Sequence, residues 1–274
     1  MESVEDIVLR HSKRGMLKLR EYMPKDFCHQ AAEKILSWKK GNVFLTTGFY
    51  VAGYAETDGP AGTVVLARAL KKLGFSPVIL TDGFCRGFFE SEEIKTVYVD
   101  NSVDRESLEE ICSAYAPVGM IAIERCGRNT EGKYANMRDV DIGEYTAPID
   151  LLFENQYGKL PTIGVGDGGN EIGMGNLSEV IGEKLELKAC TVKTDNLVIA
   201  SVSNWGAYGI VAALEELTGN RLLESSDWVE RYINLTVELG SVDGVTHEHV
   251  AGVDGFDISI EKEIIDSLLR RVRG

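Results

Sequence analysis

The sequence predicts an α/β fold of three layers, a mainly parallel sheet with helices on both faces in a Rossmann-like arrangement. Three observations predict it. Short β-branched apolar runs alternate with helical patterns of ten or more residues, and strands so separated form βαβ units. No Pro/Ser-rich linker interrupts the 274 residues, so the chain reads as a single α/β domain over 1–274 with an N-terminal helical layer at about 1–40. Polar, glycine-bearing loops follow successive strands, which is where ligands bind at the carboxyl edge of a parallel sheet.

The elements follow in order. Segments 2–20 and 25–40 carry helical spacing, with Ile7, Val8, Met16 and Leu19 on the first and Phe27, Ala31, Ile35 and Trp38 on the second; Pro24 separates them. The runs VFLTT (43–47), PVILT (77–81), TVYVD (96–100), GMIAIE (119–124) and PTIGVG (161–166) read as buried strands. Helices are expected over 60–73, ended by Gly74, and over 104–116 and 145–156. A strand over 192–200 precedes helices over 205–219, 226–239 and 260–272, with an irregular Gly- and Asp-rich stretch at 241–258.

Composition narrows the partners. With 43 acids against 29 bases the net charge is −14, and no basic stripe is present to neutralise a row of phosphates. Nucleic acid and an anionic membrane surface are therefore not expected, and a small-molecule ligand is. The five cysteines are scattered, odd in number and never in a CxxC, so neither a disulfide framework nor a zinc site follows, and a reducing cytoplasm is the expected compartment. The opening residues MESVEDIVLRHSKR lack an apolar leader core, and no apolar run approaches the ~20 residues of a membrane span. Oligomeric state stays open, a homo-oligomer included.

Three constellations carry chemistry. The loop GDGGNEIGMGN (166–176) formally fits a dinucleotide GxGxxG pattern, but Asp167 and Glu171 would repel a bare pyrophosphate, so no NAD is expected. A plain structural reading makes Asp167 a helix cap. That leaves the glycines and Asn170 unexplained. The segment Glu56-Thr57-Asp58-Gly59-Pro60 precedes a helix, where Pro60 suits the first turn and Asp58 could serve as a cap. Its long loop argues for function. Thr46 and Thr47 offer hydroxyls to the same edge. Finally, Glu124-Arg125 ends a strand and is followed by Arg128, Lys133, Asn136 and Arg138, a local positive patch suited to an anion. Weaker candidates are His247-Glu248-His249 as a metal pair, Asn204-Trp205-Gly206 at a helix start, and Cys126, whose arginine neighbours predict a lowered pKa.

Together these motifs resemble the D-glutamate cyclase family. The likeness rests on TTGFYVAGYAETDGPAGTVVLARAL (46–70), IERCGRNTEGKYANMRDVDI (123–142), PTIGVGDGGNEIGMGN (161–176) and VSNWGAYG (202–209), and spans most of residues 25–260. TDGPAG and GDGGNEIGMG are its specific parts. The resemblance implies a hydro-lyase that reversibly converts D-glutamate to 5-oxo-D-proline and water. Vertebrate relatives carry an extra N-terminal region and reach mitochondria, so a stand-alone microbial enzyme is the expectation.

For that reaction Asp58, Glu124, Asp167 and Glu171 are the expected acids, bases or ligands. Thr47, Gly48, Thr57, Gly59, Arg125, Asn136, Arg138, Gly168, Gly169, Asn170, Asn204 and Trp205 are the expected substrate contacts. Arg125 and Arg138 would hold carboxylates, and Asn170 with the loop amides would face an oxyanion. Asp167 and Glu171 are also the expected ligands of Mg2+ or Mn2+, the alternative being carboxyls that share a proton. The reading calls for no NAD and no PLP. Two rivals use the same loops: Mg-dependent phosphoryl or nucleotide chemistry, which lacks a GxxxxGK[ST] cradle here, and a small-molecule sensor.

Overall fold

The computed structural model describes residues 2–274. The chain enters through α1 (Val4–Val8), α2 (Met16–Leu19) and α3 (Phe27–Leu36). Next come β1 (Asn42–Thr46), a hairpin of β2 (Tyr50–Val51) and β3 (Tyr54–Ala55), and α4 (Pro60–Lys72). The alternation continues with β4 (Ser76–Thr81), β5 (Lys95–Tyr98), α5 (Arg105–Tyr115), β6 (Gly119–Ile123) and α6 (Asp150–Gln156). It closes with β7 (Thr162–Gly166), α7 (Ser178–Leu185), β8 (Asn196–Ile199), α8 (Ser203–Thr218), α9 (Ser226–Glu238) and α10 (Ile258–Arg273).

Six strands form one sheet in the order β5-β4-β1-β6-β7-β8, and every pairing in it is parallel. The parallel sheet with flanking helices is the three-layer α/β class expected from the sequence, and its strand order is doubly wound. The chain runs outward from β1 through β4 to β5, then returns to β6 on the other side of β1. The strand order therefore reverses between β1 and β6, and their carboxyl ends diverge into a crevice. Helices α3, α4, α8, α9 and α10 pack on one another, with α8 almost wholly buried at their centre. Helices α5 and α6 form a separate pair, and the Tyr115 ring at the end of α5 lies 5.7 Å from Phe44 of β1. No helix among the described residues is long and apolar enough to cross a membrane.

Four local differences from the sequence expectations have physical causes. The helix expected over 2–20 ends at Val8 and resumes only at Met16, because His11 and Gly15 adopt left-handed backbone (φ 58° and 88°). That break places Arg14 on a turn. The helix expected from 145 begins only at Asp150, since Pro148 disfavours helical backbone at Ala147. The strand expected from 192 begins at Asn196; before it, Thr194 is tied instead to the Asn176 side chain, whose Oδ1 accepts from the Thr194 N–H at 3.0 Å and whose Nδ2 donates to the Thr194 carbonyl at 2.8 Å. The β2–β3 hairpin inside the long loop turns on Ala52 and Gly53, both at positive φ (50° and 104°), the geometry of a primed turn.

Candidate active site

The crevice between β1 and β6 gathers the acids. Glu124 leaves the end of β6 in a left-handed conformation (φ 45°), a strained choice for a non-glycine residue that turns its carboxylate across the crevice. Ser203, at the start of α8, donates its hydroxyl to Glu124 Oε2 at 2.5 Å. Carboxylate oxygens of Glu124, Asp167 and Glu171 lie within 4.8 Å of one another, and so do those of Asp58, Asp167 and Asp254. Asp167 belongs to both groups. It is fully buried, and its Oδ1 has no hydrogen-bond partner. The plain capping role is therefore not what Asp167 does here.

One cation answers these acids directly. Arg14, on the turn between α1 and α2, donates from Nη2 to Asp167 Oδ2 at 2.6 Å and also to Asp254 Oδ2. Burial would lower the Arg14 pKa, but Asp167, Glu124, Asp58 and Glu171 outweigh it and raise the value. The acids respond in the opposite sense to burial. Desolvation lifts Glu124 well above the ordinary carboxylate range, and the charges of Asp167 and Glu171 add to the effect. Asp167 is raised mainly by burial and, although Arg14 opposes it, further by Asp58 and Glu171. Glu56 is likewise raised, by burial first and Asp58 next. Asp58 is raised by burial against the N–H bonds that it accepts.

Those bonds explain how Asp58 is held. Its Oδ1 accepts from Asn204 N at 2.7 Å and from Gly59 N at 2.8 Å, and its Oδ2 from Ser203 N at 2.8 Å, so it caps the N-terminus of α8 while also bonding the residue before its own helix α4. Asn204 returns the favour: its Oδ1 accepts from the Gly59 and Gly62 N–H groups at 3.0 and 2.7 Å at the start of α4. Each helix thus receives its cap from the other, and the exchange fixes Asp58 against the crevice. Gly59 makes this possible. Its φ is +97°, and a Cβ there would meet Thr47 Oγ1 at 2.4 Å and Glu124 Cβ at 2.9 Å. We expect Gly59→Ala to lower the thermal unfolding midpoint through about 1–3 kcal/mol of backbone strain plus the clash, and to reduce activity by moving Glu124. An unchanged midpoint would refute this account.

Glu171 organises its own loop, Oε1 and Oε2 accepting from Gly168 N and Gly169 N at 2.7 and 2.8 Å. A cavity of about 400 Å3 opens beside Glu124, Glu56 and Asp254, while Asp58, Asp167 and Glu171 are buried behind its lining. Glu56, Glu124, Asp254 and Arg14 line its acidic side, Phe49, Tyr50 and Met137 its apolar side, and Asn136, Asn170, Arg138 and His247 its polar margin. Arg138 is exposed at the mouth.

The expected substrate residues divide into three sets. Asn136, Arg138 and Asn170 reach the cavity beside Glu124. Thr47, Gly48, Thr57, Gly59, Gly168, Gly169 and Asn204 form its scaffold; Thr57 donates to the Gly252 carbonyl at 2.6 Å, and Thr47 Oγ1 is buried without a partner. Arg125 and Trp205 lie outside the cavity. Arg125 is fully buried, with Nη1 donating to Asp82 Oδ2 at 2.6 Å and Gly48 O at 2.9 Å, and Nη2 to Ala147 O at 2.7 Å. Its guanidinium ties three loops together. Trp205 donates to Glu261 Oε2 at 2.5 Å, whose Oε1 accepts from the Tyr208 hydroxyl at 2.8 Å.

Two weaker candidates fare differently from expectation. His249 is engaged at a distance from the acids, its Nδ1 3.0 Å from the Ser241 carbonyl and its ring edge-on to Tyr54, whereas His247 lines the cavity, so the two imidazoles serve separate surroundings. The Cys126 pKa is raised, because burial and Cys190 outweigh Arg125. Among the residues that the sequence reading left unassigned, Arg14, Glu56, Ser203 and Asp254 enter the site. The segment Ser12-Lys13-Arg14-Gly15 did carry a signal, three polar residues and a glycine within a helical pattern.

A six-stranded parallel sheet with a buried carboxyl cluster at its switch point defines a doubly wound α/β protein with a candidate active site there. The chain belongs to the D-glutamate cyclase-like family, whose C-terminal model matches residues 4–269. It is similar to the mitochondrial D-glutamate cyclase of Homo sapiens, 34% identical over 201 residues, which is 63% of this chain and 32% of the human protein. The chain thus spans about a third of the length of that relative. Among solved structures, an exopolyphosphatase-related protein from Bacteroides fragilis aligns over 92% of this chain and 61% of its own at 9% identity and TM-score 0.42. An actinorhodin polyketide ketoreductase with NADPH aligns over 85% and 90% at 12% identity and TM-score 0.32. At these scores neither carries an argument.

Proposed function

We propose that this protein is a hydro-lyase that reversibly cyclises D-glutamate to 5-oxo-D-proline and water. The observation that carries the reading is the buried cluster of Glu124, Asp167 and Glu171 below a cavity with arginines on its wall and mouth. Family membership supports the substrate, and the chemistry explains the residues. In the forward direction the amine nitrogen attacks the γ-carboxyl carbon, a C–N bond forms and a C–O bond breaks. The ammonium gives up two protons, and the departing oxygen takes up two to leave as water. No net proton is consumed.

A site for this reaction needs groups that accept protons from nitrogen and return them to oxygen within one pocket. Neighbouring carboxyls with raised pKa values suit both duties, because an ionised one is a stronger base than usual and a protonated one is available as an acid. Asp167, with its unpartnered Oδ1, takes the ammonium and accepts its proton. Glu124, steered by Ser203, delivers a proton to the leaving oxygen. Arg138 draws in the anionic substrate, whereas the amides expected to face an oxyanion are engaged elsewhere: Gly168 N and Gly169 N donate to Glu171, and Asn170 Nδ2 donates to the Ala135 carbonyl at 2.8 Å. Holding amine and carboxyl together in the cavity supplies much of the rate, since the attack is intramolecular.

An all-oxygen donor set with an unpartnered Asp167 Oδ1 also fits Mg2+ or Mn2+, which Asp167, Glu124 and Glu171 would hold. Such an ion would polarise a carboxyl group as a Lewis acid. The test is to incubate the purified protein with D- and L-glutamate and to measure 5-oxoproline with and without EDTA. We expect product from D-glutamate. ATP loss without lactam would favour phosphoryl chemistry, and saturable stabilisation by D-glutamate without turnover would favour a sensor.

A further inference from the structure

We infer that Arg14 is the residue that recognises the α-carboxylate of the substrate and so makes the site selective for α-amino acids over ω-amino acids. The inference rests on the cyclase reading for its substrate. An α-amino acid carries its ammonium and its carboxylate on one carbon, so a site for it must set a cation-binding and an anion-binding group side by side. The acids provide the first. Among the described residues, Arg14 is the cationic side chain bonded to Asp167 and Asp254, and it lines the same cavity. Arg125 is tied to Asp82 and three carbonyls, and Arg138 stands exposed at the mouth without a bond to the acids.

The donors of Arg14 suit the task. Both of its ion pairs leave from Nη2, while Nε and Nη1 donate to nothing among the described residues. An arginine has five N–H donors in a rigid fork, so three remain for a ligand oxygen. Its side chain is 23% exposed, so those donors are open to an incoming group. The position is also enforced. Gly15 adopts φ +88°, and a Cβ at that position would lie 2.4 Å from the Leu185 side chain at the end of α7, so the turn is packed closely against a neighbouring helix.

Arg14 further forms the boundary between the cleft and a second cavity of about 710 Å3, lined also by Lys13, Lys18 and Lys184. In a chain of net charge −14 this is a local positive approach for an anion. The attraction of Asp167 and Asp254 holds the guanidinium at the acids, with its remaining donors turned to the substrate. When the ammonium is seated among the acids, the α-carboxylate beside it falls within reach of Nε and Nη1.

The experiment compares two ligands that differ only in the α-carboxylate. Binding of D-glutamate and of 4-aminobutanoate is measured by calorimetry on the wild type, Arg14→Gln and Arg14→Lys, together with lactam formation from each and the thermal unfolding midpoint. We expect Arg14→Gln to weaken D-glutamate by about 10- to 100-fold, the effect of losing a charged hydrogen-bond partner, while 4-aminobutanoate changes by less than about threefold. Arg14→Lys should recover part of the loss, since it restores charge without the fork. Equal weakening of both ligands, or of neither, in a folded variant overturns the inference. So does a wild type that binds the two ligands equally. D-Glutamate that binds the wild type without forming lactam defeats the cyclase reading instead, and the ligand comparison still decides the role of Arg14.

Discussion

We expect Asp167→Asn to lower kcat/KM for D-glutamate by about 10²–10⁴-fold, the usual loss when a positioned acid–base group is removed, with the protein still folded. The substitution keeps the side-chain volume at a fully buried position and removes a group that can gain and lose a proton. It also replaces one of the two carboxylates that hold Arg14, leaving Asp254 as the other. Neutralising Asp167 relieves its burial and its repulsion with Asp58 and Glu171 but removes its ion pair with Arg14, so the two effects offset and the unfolding midpoint should stay near that of the wild type. Steady-state kinetics and thermal unfolding check both parts. Activity within tenfold of the wild type would remove Asp167 from the mechanism.

Glu171→Gln is expected to behave differently. Both Glu171 oxygens accept loop N–H groups, and an amide nitrogen in either place would face a donor. That variant should lose stability as well as activity.

Stability should fall as pH rises from the ordinary carboxylate range. Glu56, Asp58, Glu124 and Asp167 all have raised pKa values in the folded protein, whereas the unfolded chain releases those protons near 4. The folded state therefore binds more protons. Its advantage is complete below the unfolded values and is lost as pH climbs through the folded ones, at up to about 1.4 kcal/mol per pH unit for each group that stays protonated. Glu261, pushed up to about 7 by burial against the bonds from Trp205 and Tyr208, loses its share between the ordinary carboxylate range and about 7. His29, raised to about 9 by the neighbouring Glu5 carboxylate at 3.8 Å and by its 2.7 Å hydrogen bond to Glu216, adds a loss at higher pH.

Glu5, Glu215 and Glu224 act in the opposite sense. Their lowered values supply stability that is present above the ordinary carboxylate pKa and lost in acid. The midpoint should accordingly pass through a maximum on the acid side of neutrality. Thermal unfolding at intervals from pH 4 to 9 measures the curve, and Glu124→Gln and Glu261→Gln should each flatten its alkaline limb. A midpoint that rises steadily from pH 5 to 8 would contradict the buried-acid picture.

How far the sequence carried depends on the range of the forces involved. Alternation of β-branched runs with helical spacing is a local property, and it was enough to establish the three-layer α/β class and to place Asp58, Glu124, Asp167 and Glu171 in loops at one sheet edge. Those loops had to meet because parallel strands bring their carboxyl ends to the same side. Chain order along the sheet, by contrast, is written in no local pattern. It is the reversal between β1 and β6 that decides which loops touch.

The misreadings share one cause. Arg125 and Arg138 look alike in sequence, yet one is walled in by Asp82 and three carbonyls while the other stands at the mouth. Nothing near Cys126 in sequence reveals Cys190 or the burial that raises its pKa. Arg14 and Asp254 lie 240 residues apart and become partners only when the N-terminal turn and the 241–258 loop cover the crevice. Local pattern and composition thus determined the fold class, the family motifs and the acids themselves. Tertiary structure alone decided which charges are buried, which are paired and which cation faces them, because desolvation and ion pairing depend on distances across the packed molecule rather than on spacing along the chain.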